Sequence, residues 1–555
     1  MSSPTIPPKP VAMSVRRSNE VFGFAGKCWG YKGFRPAAFE RRASNPPTGL
    51  GIPEAEISEF PSRNANLIPK KKRKVQKMTT IYSELPTRPS LKVLSRDQIE
   101  QIHLATLVVL ERTGVQITHP GAREILGGAG ANVDGNRVRI SSHIVEESLN
   151  KAPSHFILGM RNGEPAVLLE GRRSWYGAGL DCMEYLDPRT DVRRPFTSED
   201  CRVTAMITNA LPNYSWGMTL GLAADVSVDI ADRIIAKQTL TYCEKPFVVC
   251  CNNIDSLRAI YDMAVLIAGS PEGFRQAPTI AHLSSPVSPL TYYDDTVEKI
   301  LFCAQKGIPQ IFYPGLQAGG TSPATFAGTL VQASAESLSG LVLAQFAEPG
   351  APVIYGALTT IMDMSTAIFS YGAPEMNLMT AALAQIAQHY NLPFFGTAGC
   401  SDAKFPDDPQ AAVEATFSCL SSALSGANMV HDFGLLDHAA VVSPIYLVLI
   451  NEILDMVNQY MRGIPVNDET LAVDLIDRIG PGGHFLEAEH TLRHFRDVWY
   501  SQLFDRKNYN DWLKQGAKQF RERLREQTLK VMDAESEPLP ADILEEMEQM
   551  AKHWA

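Results

Sequence analysis

From about residue 173 the chain alternates between short apolar runs rich in β-branched and aromatic residues and longer stretches with apolar positions at helical spacing. The short runs predict strands at 174–179, 214–220, 247–251, 279–284, 310–313, 353–356, 394–397 and 429–432. The longer stretches predict helices at 198–210, 230–241, 256–268, 294–306, 325–346, 376–390 and 410–424, with a last one at 443–459 after the eighth strand. The segment 349–375 shows the unit plainly: a buried run, a loop of small and polar residues, then Pro374 where a first helical turn tolerates a missing N–H. Eight such units over roughly 290 residues match an α/β fold of the (β/α)8 TIM-barrel type. A doubly wound sheet would want a glycine-rich phosphate turn after its first strand, and none follows.

The flanks read differently. Residues 78–172 are expected to form a mainly helical N-terminal subdomain, with helices at 95–113 and 119–127 and short strands at 138–140 and 156–158. Ser95 and Gln98 have capping-box spacing. Gly127-Gly128-Ala129-Gly130 completes no nucleotide fingerprint and reads as a helix-ending turn. A hairpin is expected around Asp187-Pro188. The barrel is expected to span 173–465, and 466–555 to form a helical extension.

Charge separates off the first 77 residues, which hold 15 Lys and Arg against 5 Glu and no Asp, so the remainder carries −20 of the total −10. This segment includes Pro69-Lys70-Lys71-Lys72-Arg73-Lys74-Val75, a match to a viral nuclear-import heptapeptide. It reads either as an address or as an appended tag, leader or misplaced start before Met78, and is set aside from fold reasoning. The acidic body argues against nonspecific nucleic-acid binding. The longest apolar run, near 439–450, is too short to span a bilayer. Nine scattered cysteines without a C-x-x-C pair point to a reducing, cytoplasmic setting.

Barrels of this type place chemistry on the loops after the strands. Those ends carry Asp181, Trp216, Asn252, His282, Tyr313, Tyr355, residues 396–402 and His431-Asp432. Aromatic faces can hold a desolvated cation, and a histidine beside an aspartate can act as acid, base or substrate contact. His484, His490 and His494, with Glu487 and Glu489, offer a competing cluster for a metal-dependent barrel hydrolase or lyase. No metal is expected there, because Phe495 and Trp499 mark a packing face.

Several stretches carry a resemblance. Pro323 to Gly328, Ala335-Glu336, Pro349 to Gly356, Gly399 to Lys404, Gly480 to His484 and Asp505-Arg506 with Trp512 are similar to the trimethylamine methyltransferase family. The resemblance covers about 90–532. It implies a barrel that moves a methyl group from a methylated amine to the cobalt of a separate corrinoid protein. Founding members carry pyrrolysine, whereas this chain has only the standard letters, so it resembles the branch that includes glycine betaine methyltransferases. A quaternary nitrogen leaves as a neutral amine, so positioning in a dry pocket suffices.

On this reading Tyr355, His431 and Asp181 are the expected catalytic residues, and Trp216, Tyr313, Glu375 and His282 the substrate contacts. Ser401, Asp402, Lys404, Gly482, Gly483 and His484 are expected where the corrinoid (cobalamin) approaches. The expected partners are the corrinoid protein, a small methylated amine and further copies of the chain, with no nucleic acid or membrane. A betaine- or corrinoid-binding protein without turnover is the non-catalytic alternative.

Overall fold

The structure, a computed structural model, describes residues 88–554. The readings of residues 1–77, the basic heptapeptide among them, lie outside those residues. Eight strands close into a barrel in which every neighbouring pair is parallel. They are β1 Trp175–Ala178, β2 Tyr214–Met218, β3 Phe247–Val249, β4 Ile280–Ser284, β5 Gln310–Phe312, β6 Val353–Gly356, β7 Phe394–Thr397 and β8 Met429–Phe433.

The helices between and after them are α1 Ser198–Ala210, α2 Val228–Tyr242, α3 Ile254–Ala268, α4 Asp294–Lys306, α5 Phe326–Ala347, α6 Pro374–His389, α7 Pro409–Ser425 and α8 Pro444–Met461. Every barrel strand and helix boundary read from the sequence falls within two residues of these. Local chemistry explains the sharp starts. The last three helices begin on proline, and Asp408 and Ser443 cap α7 and α8 by accepting from the backbone N–H of Gln410 and Tyr446. Such a cap stabilises by about 1 kcal/mol.

Outside the barrel, the Ser95 box caps helix Arg96–Val108, and Gly127-Gly128 ends helix Pro120–Gly128. The expected hairpin pairs Glu184–Leu186 with Arg193–Pro195. Helix Phe520–Met532 packs against α8 and α1, and helix Ala541–Ala551 against α2 and α3. Between α8 and these two, an arm of four short helices runs Asp468–Leu471, Val473–Ile479, Glu489–His494 and Tyr509–Lys514. Among the described residues, no helix is long and apolar enough to cross a membrane.

The strands' C-terminal ends lead straight into two small sheets. One pairs Gly315–Ala318 with Leu358–Asp363 and the latter with Ile368–Phe369. The other joins Leu435–Leu436 and Val441–Val442 to the 184–195 hairpin.

Candidate active site at the C-terminal end of the barrel

Because strand side chains alternate between faces, only half of the residues near a strand end can point into the barrel. Tyr313, Trp216 and His431 do. Tyr313 meets Phe395 and His431 edge-on, each at 5.0 Å between ring centroids. His431 stacks on Phe395 at 4.3 Å, and Trp216 lies 5.6 Å from Phe395. Two glycines make room for this crowd of rings. A Cβ on Gly177 would sit 2.2 Å from the Trp216 ring, and one on Gly356 2.9 Å from the Tyr313 ring. Trp216 is fully buried, its indole N–H donating to the Trp175 carbonyl at 3.1 Å.

Polar groups are threaded through the rings. The Tyr313 hydroxyl lies 2.8 Å from His431 Nε2. Burial, with the nearby Asp432 charge, pushes the Tyr313 phenol well above its ordinary pKa, so it stays neutral and keeps its proton. Asp432 follows a break in register on β8 and adopts a left-handed backbone, φ 77°. One carboxylate oxygen accepts from the Thr397 hydroxyl of β7. The other, Oδ1, lies 2.7 Å from His431 Nδ1. That approach lacks hydrogen-bond angles, so both atoms are buried without a hydrogen-bond partner. His431 and Asp432 are each 0% exposed.

Asp181 lies just beyond β1 and accepts from the Thr219 hydroxyl. With Asp232, Val249 and Cys250 it lines a small recess beside α2 and α3. Burial pushes its carboxyl from 3.8 up to about 7, and the Thr219 bond offsets only part of that.

Other expected site residues lie elsewhere. Tyr355 pairs in register with Phe312 and Phe394, its hydroxyl 2.7 Å from Ser334 of α5 and its ring against Tyr390 and Phe394. It faces the helices rather than the barrel interior. His282 shares that outward face through its register with Gln310, which pairs with Val353 two residues before Tyr355. Its ring bonds Ser284 at 3.1 Å, and burial lowers its pKa to about 3. Glu375 sits half-buried in the first turn of α6.

Ser401 is buried and donates to Glu414 at 2.5 Å. Asp402 braces the rim, accepting from the Ser370 hydroxyl and the Tyr371 N–H. Burial pushes its pKa up, but His438 and Ser370 more than offset this and hold it below the ordinary value. Lys404 is over half exposed and reaches Asp437, which also pairs with Arg193. Gly482, Gly483 and His484 lie exposed on the arm, where a Cβ on Gly482 would meet open space and one on Gly483 only Ile479. The structure does not join them to the Tyr313–His431 group.

The His490 and His494 rings lie 4.4 Å apart on the same arm. Among the described residues no three His, Cys, Asp or Glu side chains are grouped to hold a metal ion. Sequence reasoning gave no role to Thr397, Phe395 or Asp432. Thr397 and Asp432 stand at strand ends already singled out, and parity with Thr397 is the signal that would have added Phe395.

A closed parallel barrel with rings and a buried carboxylate gathered at its strand ends defines a (β/α)8-barrel protein. Its residues 62–553 match the family model described as trimethylamine methyltransferase (MTTB). The chain belongs to that family. It is 33% identical to trimethylamine methyltransferase MttB of Desulfitobacterium hafniense (strain DSM 10664 / DCB-2), over 81% of this chain and 91% of that protein. It is 31% identical to glycine betaine methyltransferase of Desulfitobacterium hafniense (strain Y51), over 77% and 89%. A crystal structure of the Methanosarcina barkeri monomethylamine methyltransferase aligns over 79% of this chain and 92% of its own, at 9% identity and a TM-score of 0.41. The family assignment does not rest on that likeness.

Proposed function

We propose that this chain takes a methyl group from a quaternary methylated amine, glycine betaine first among the candidates, and delivers it to the corrinoid of a separate protein. Family membership supports methyl transfer from a methylated amine. The finer reading is carried by one observation: Asp432 Oδ1 is fully buried without a hydrogen-bond partner, with only the edge of His431 at 2.7 Å, and the His431 ring packs on Tyr313 and Phe395. A buried charge needs a counter-charge. A quaternary ammonium supplies one without any N–H, and aromatic faces hold it by cation–π attraction.

On this reading each group has a part. Asp432 supplies the negative charge, and Thr397 holds its second oxygen. Tyr313 and Trp216 supply faces. His431 anchors the Tyr313 hydroxyl and so fixes its ring. Because the departing amine is already neutral, none of these groups has to transfer a proton. Their task is to orient one methyl group and exclude water, which is where most of the acceleration in a positioned displacement originates. Tyr355, packed among helices, keeps a supporting role, and Asp181 lines the neighbouring recess.

A corrinoid is a second substrate here, and it supplies a nucleophilic cobalt when its carrier docks. The rim suits a broad, partly apolar macrocycle. Met183, Val192, Met364, Ile368 and Phe405, from the loops after β1, β6 and β7, are all exposed large apolar side chains. Lys404, Arg193 and Asp437 lie among those loops as the polar contacts. Incubating the protein with glycine betaine and reduced cobalamin, and following the amine by NMR, is expected to give dimethylglycine. Failure with every quaternary amine, alongside turnover of trimethylamine, would contradict the reading.

A further inference from the structure

Tyr313, Trp216, Phe395, His431 and Asp432 are all buried, so no amine reaches them from solvent unless a segment covering them moves. Tyr371 belongs to that cover. Burial raises its phenol well above the ordinary value, and Asp432, Cys400, Tyr313 and Cys182 are close enough to raise it further. It ends a strap, residues 358–371, that leaves β6 after Gly356 and rejoins the barrel at α6. The strap is a hairpin of Leu358–Asp363 with Ile368–Phe369, and among the described residues one further strand, Gly315–Ala318, pairs with it. Its turn stands in solvent, with Met364 69% exposed. Gly372 follows it, and a Cβ there would sit 2.4 Å from the Glu414 carboxyl carbon of α7.

One carboxylate fastens the inner end of this strap. Asp402 accepts from the Ser370 hydroxyl on one oxygen at 2.5 Å and from the Tyr371 N–H on the other at 2.9 Å. His438 Nδ1 lies 2.7 Å from that second oxygen. His438 stands in a turn, Asp437-His438-Ala439, whose three residues are all left-handed, with φ 53°, 58° and 62°. None is glycine, and such backbone persists only where its surroundings hold it, often at parts that move or act. Here Asp437 is held by Arg193 and Lys404, and the Ala439 carbonyl accepts from the Cys182 thiol at 3.2 Å.

We propose that the strap 358–371 is a lid over the Tyr313–His431–Asp432 group, that Tyr371 is the side chain it lowers onto the bound amine, and that Asp402 and His438 form its latch. The inference rests on reading that group as the amine site. A lid needs a closed form that excludes water and an open form only slightly higher in free energy. A few hydrogen bonds gathered on one carboxylate meet that need, because they can break together without unfolding the barrel. Closed, the Tyr371 ring adds a wall to the site and keeps water from the methyl group in transfer. Asp402 and His438 act through the strap and are positioning residues.

Four buried thiols make the test. Cys182 and Cys400, near Tyr371, are 1% and 3% exposed, so their reaction with a maleimide, read by mass spectrometry on the full chain, reports opening. Cys243 and Cys303 are equally buried but precede β3 and β5 at the other end of the barrel, where they report loosening of the whole fold. Ser370→Ala/His438→Asn breaks the latch and keeps the Asp402 charge, and asparagine suits the left-handed turn. It is expected to speed labelling of Cys182 and Cys400 by about tenfold or more, the scale of lost bonds to a charged group, with Cys243 and Cys303 unchanged. Loss of a positive imidazolium would raise thiol pKa values and slow labelling, so faster labelling isolates the opening. Rates equal to wild type, or acceleration of all four thiols alike, overturn the lid. Should the double variant fail to fold, Ser370→Ala alone carries the same test. In the wild type, glycine betaine is expected to slow labelling of Cys182 and Cys400. The latch effect without that slowing keeps the lid and counts against glycine betaine as the amine.

Discussion

The Tyr313 hydroxyl and His431 Nε2 face each other at 2.8 Å across the barrel interior. One comes from the end of β5 and the other from β8, with β6 and β7 between them. The bond therefore sets the distance between two walls of the mouth, and it fixes the Tyr313 ring near the Asp432 charge.

Tyr313→Phe keeps the aromatic face and removes the hydroxyl. It leaves His431 Nε2 buried without a partner, at a cost of about 1–3 kcal/mol. The expected result is a fall in kcat of about tenfold with a smaller change in KM, because orientation is lost rather than the cation-binding face. Steady-state methyl transfer checks this, and an unaltered kcat would separate the bond from the chemistry.

Asp432→Asn tests the charge alone. Asparagine tolerates the left-handed backbone that Asp432 adopts, and its amide can still meet Thr397. Binding of glycine betaine by calorimetry is expected to weaken by about 10–100-fold, the scale of a buried charge-assisted contact of roughly 1.5–3 kcal/mol. A neutral amine should lose far less. Equal losses for charged and neutral ligands would point to a structural role.

Tyr355 is the contrasting case. Tyr355→Phe, which removes only the hydroxyl beside Ser334, is expected to cost about 1 kcal/mol of stability and to leave turnover near wild type. Tyr355→Ala removes a buried ring and is expected to cost about 3–5 kcal/mol, lowering the melting temperature. A strong loss of turnover in the Phe variant at an unchanged melting temperature would return Tyr355 to the active site.

These tyrosines also mark how far the sequence could be read. Strand positions follow from runs of β-branched residues, and all eight were legible. Which face a strand-end residue presents depends on parity, and moving by one residue reverses it. Tyr313 and His431 fell on the inner face. Tyr355 and His282 stand equally close to strand ends but face the helices. Asp432 lay beyond any parity rule, because its side-chain direction depends on the irregular pairing and left-handed backbone of β8. The barrel helices were legible because their apolar positions recur at helical spacing, and prolines mark the starts of three of them.

Asp181 gives a pH signature. Burial raises its carboxyl from 3.8 to about 7, so the folded chain holds this proton to higher pH than the unfolded chain does. Its contribution to stability is level below about pH 3.8, falls as pH rises toward 7, and levels again above that. Asp181→Asn keeps the Thr219 contact and removes the titration. The variant is expected to match wild type near pH 4 and to melt at higher temperature above pH 7. Parallel melting curves across that window would contradict the assignment.

The most direct measurement is spectrophotometric: oxidation of free cob(I)alamin by methylation, recorded with glycine betaine and with trimethylamine in parallel. The expected result is a protein-dependent loss of the cob(I)alamin absorbance with glycine betaine or another quaternary amine, abolished or strongly slowed in Asp432→Asn. Methylation by trimethylamine alone, or an Asp432→Asn variant as fast as wild type, would contradict a mouth built to hold a quaternary ammonium.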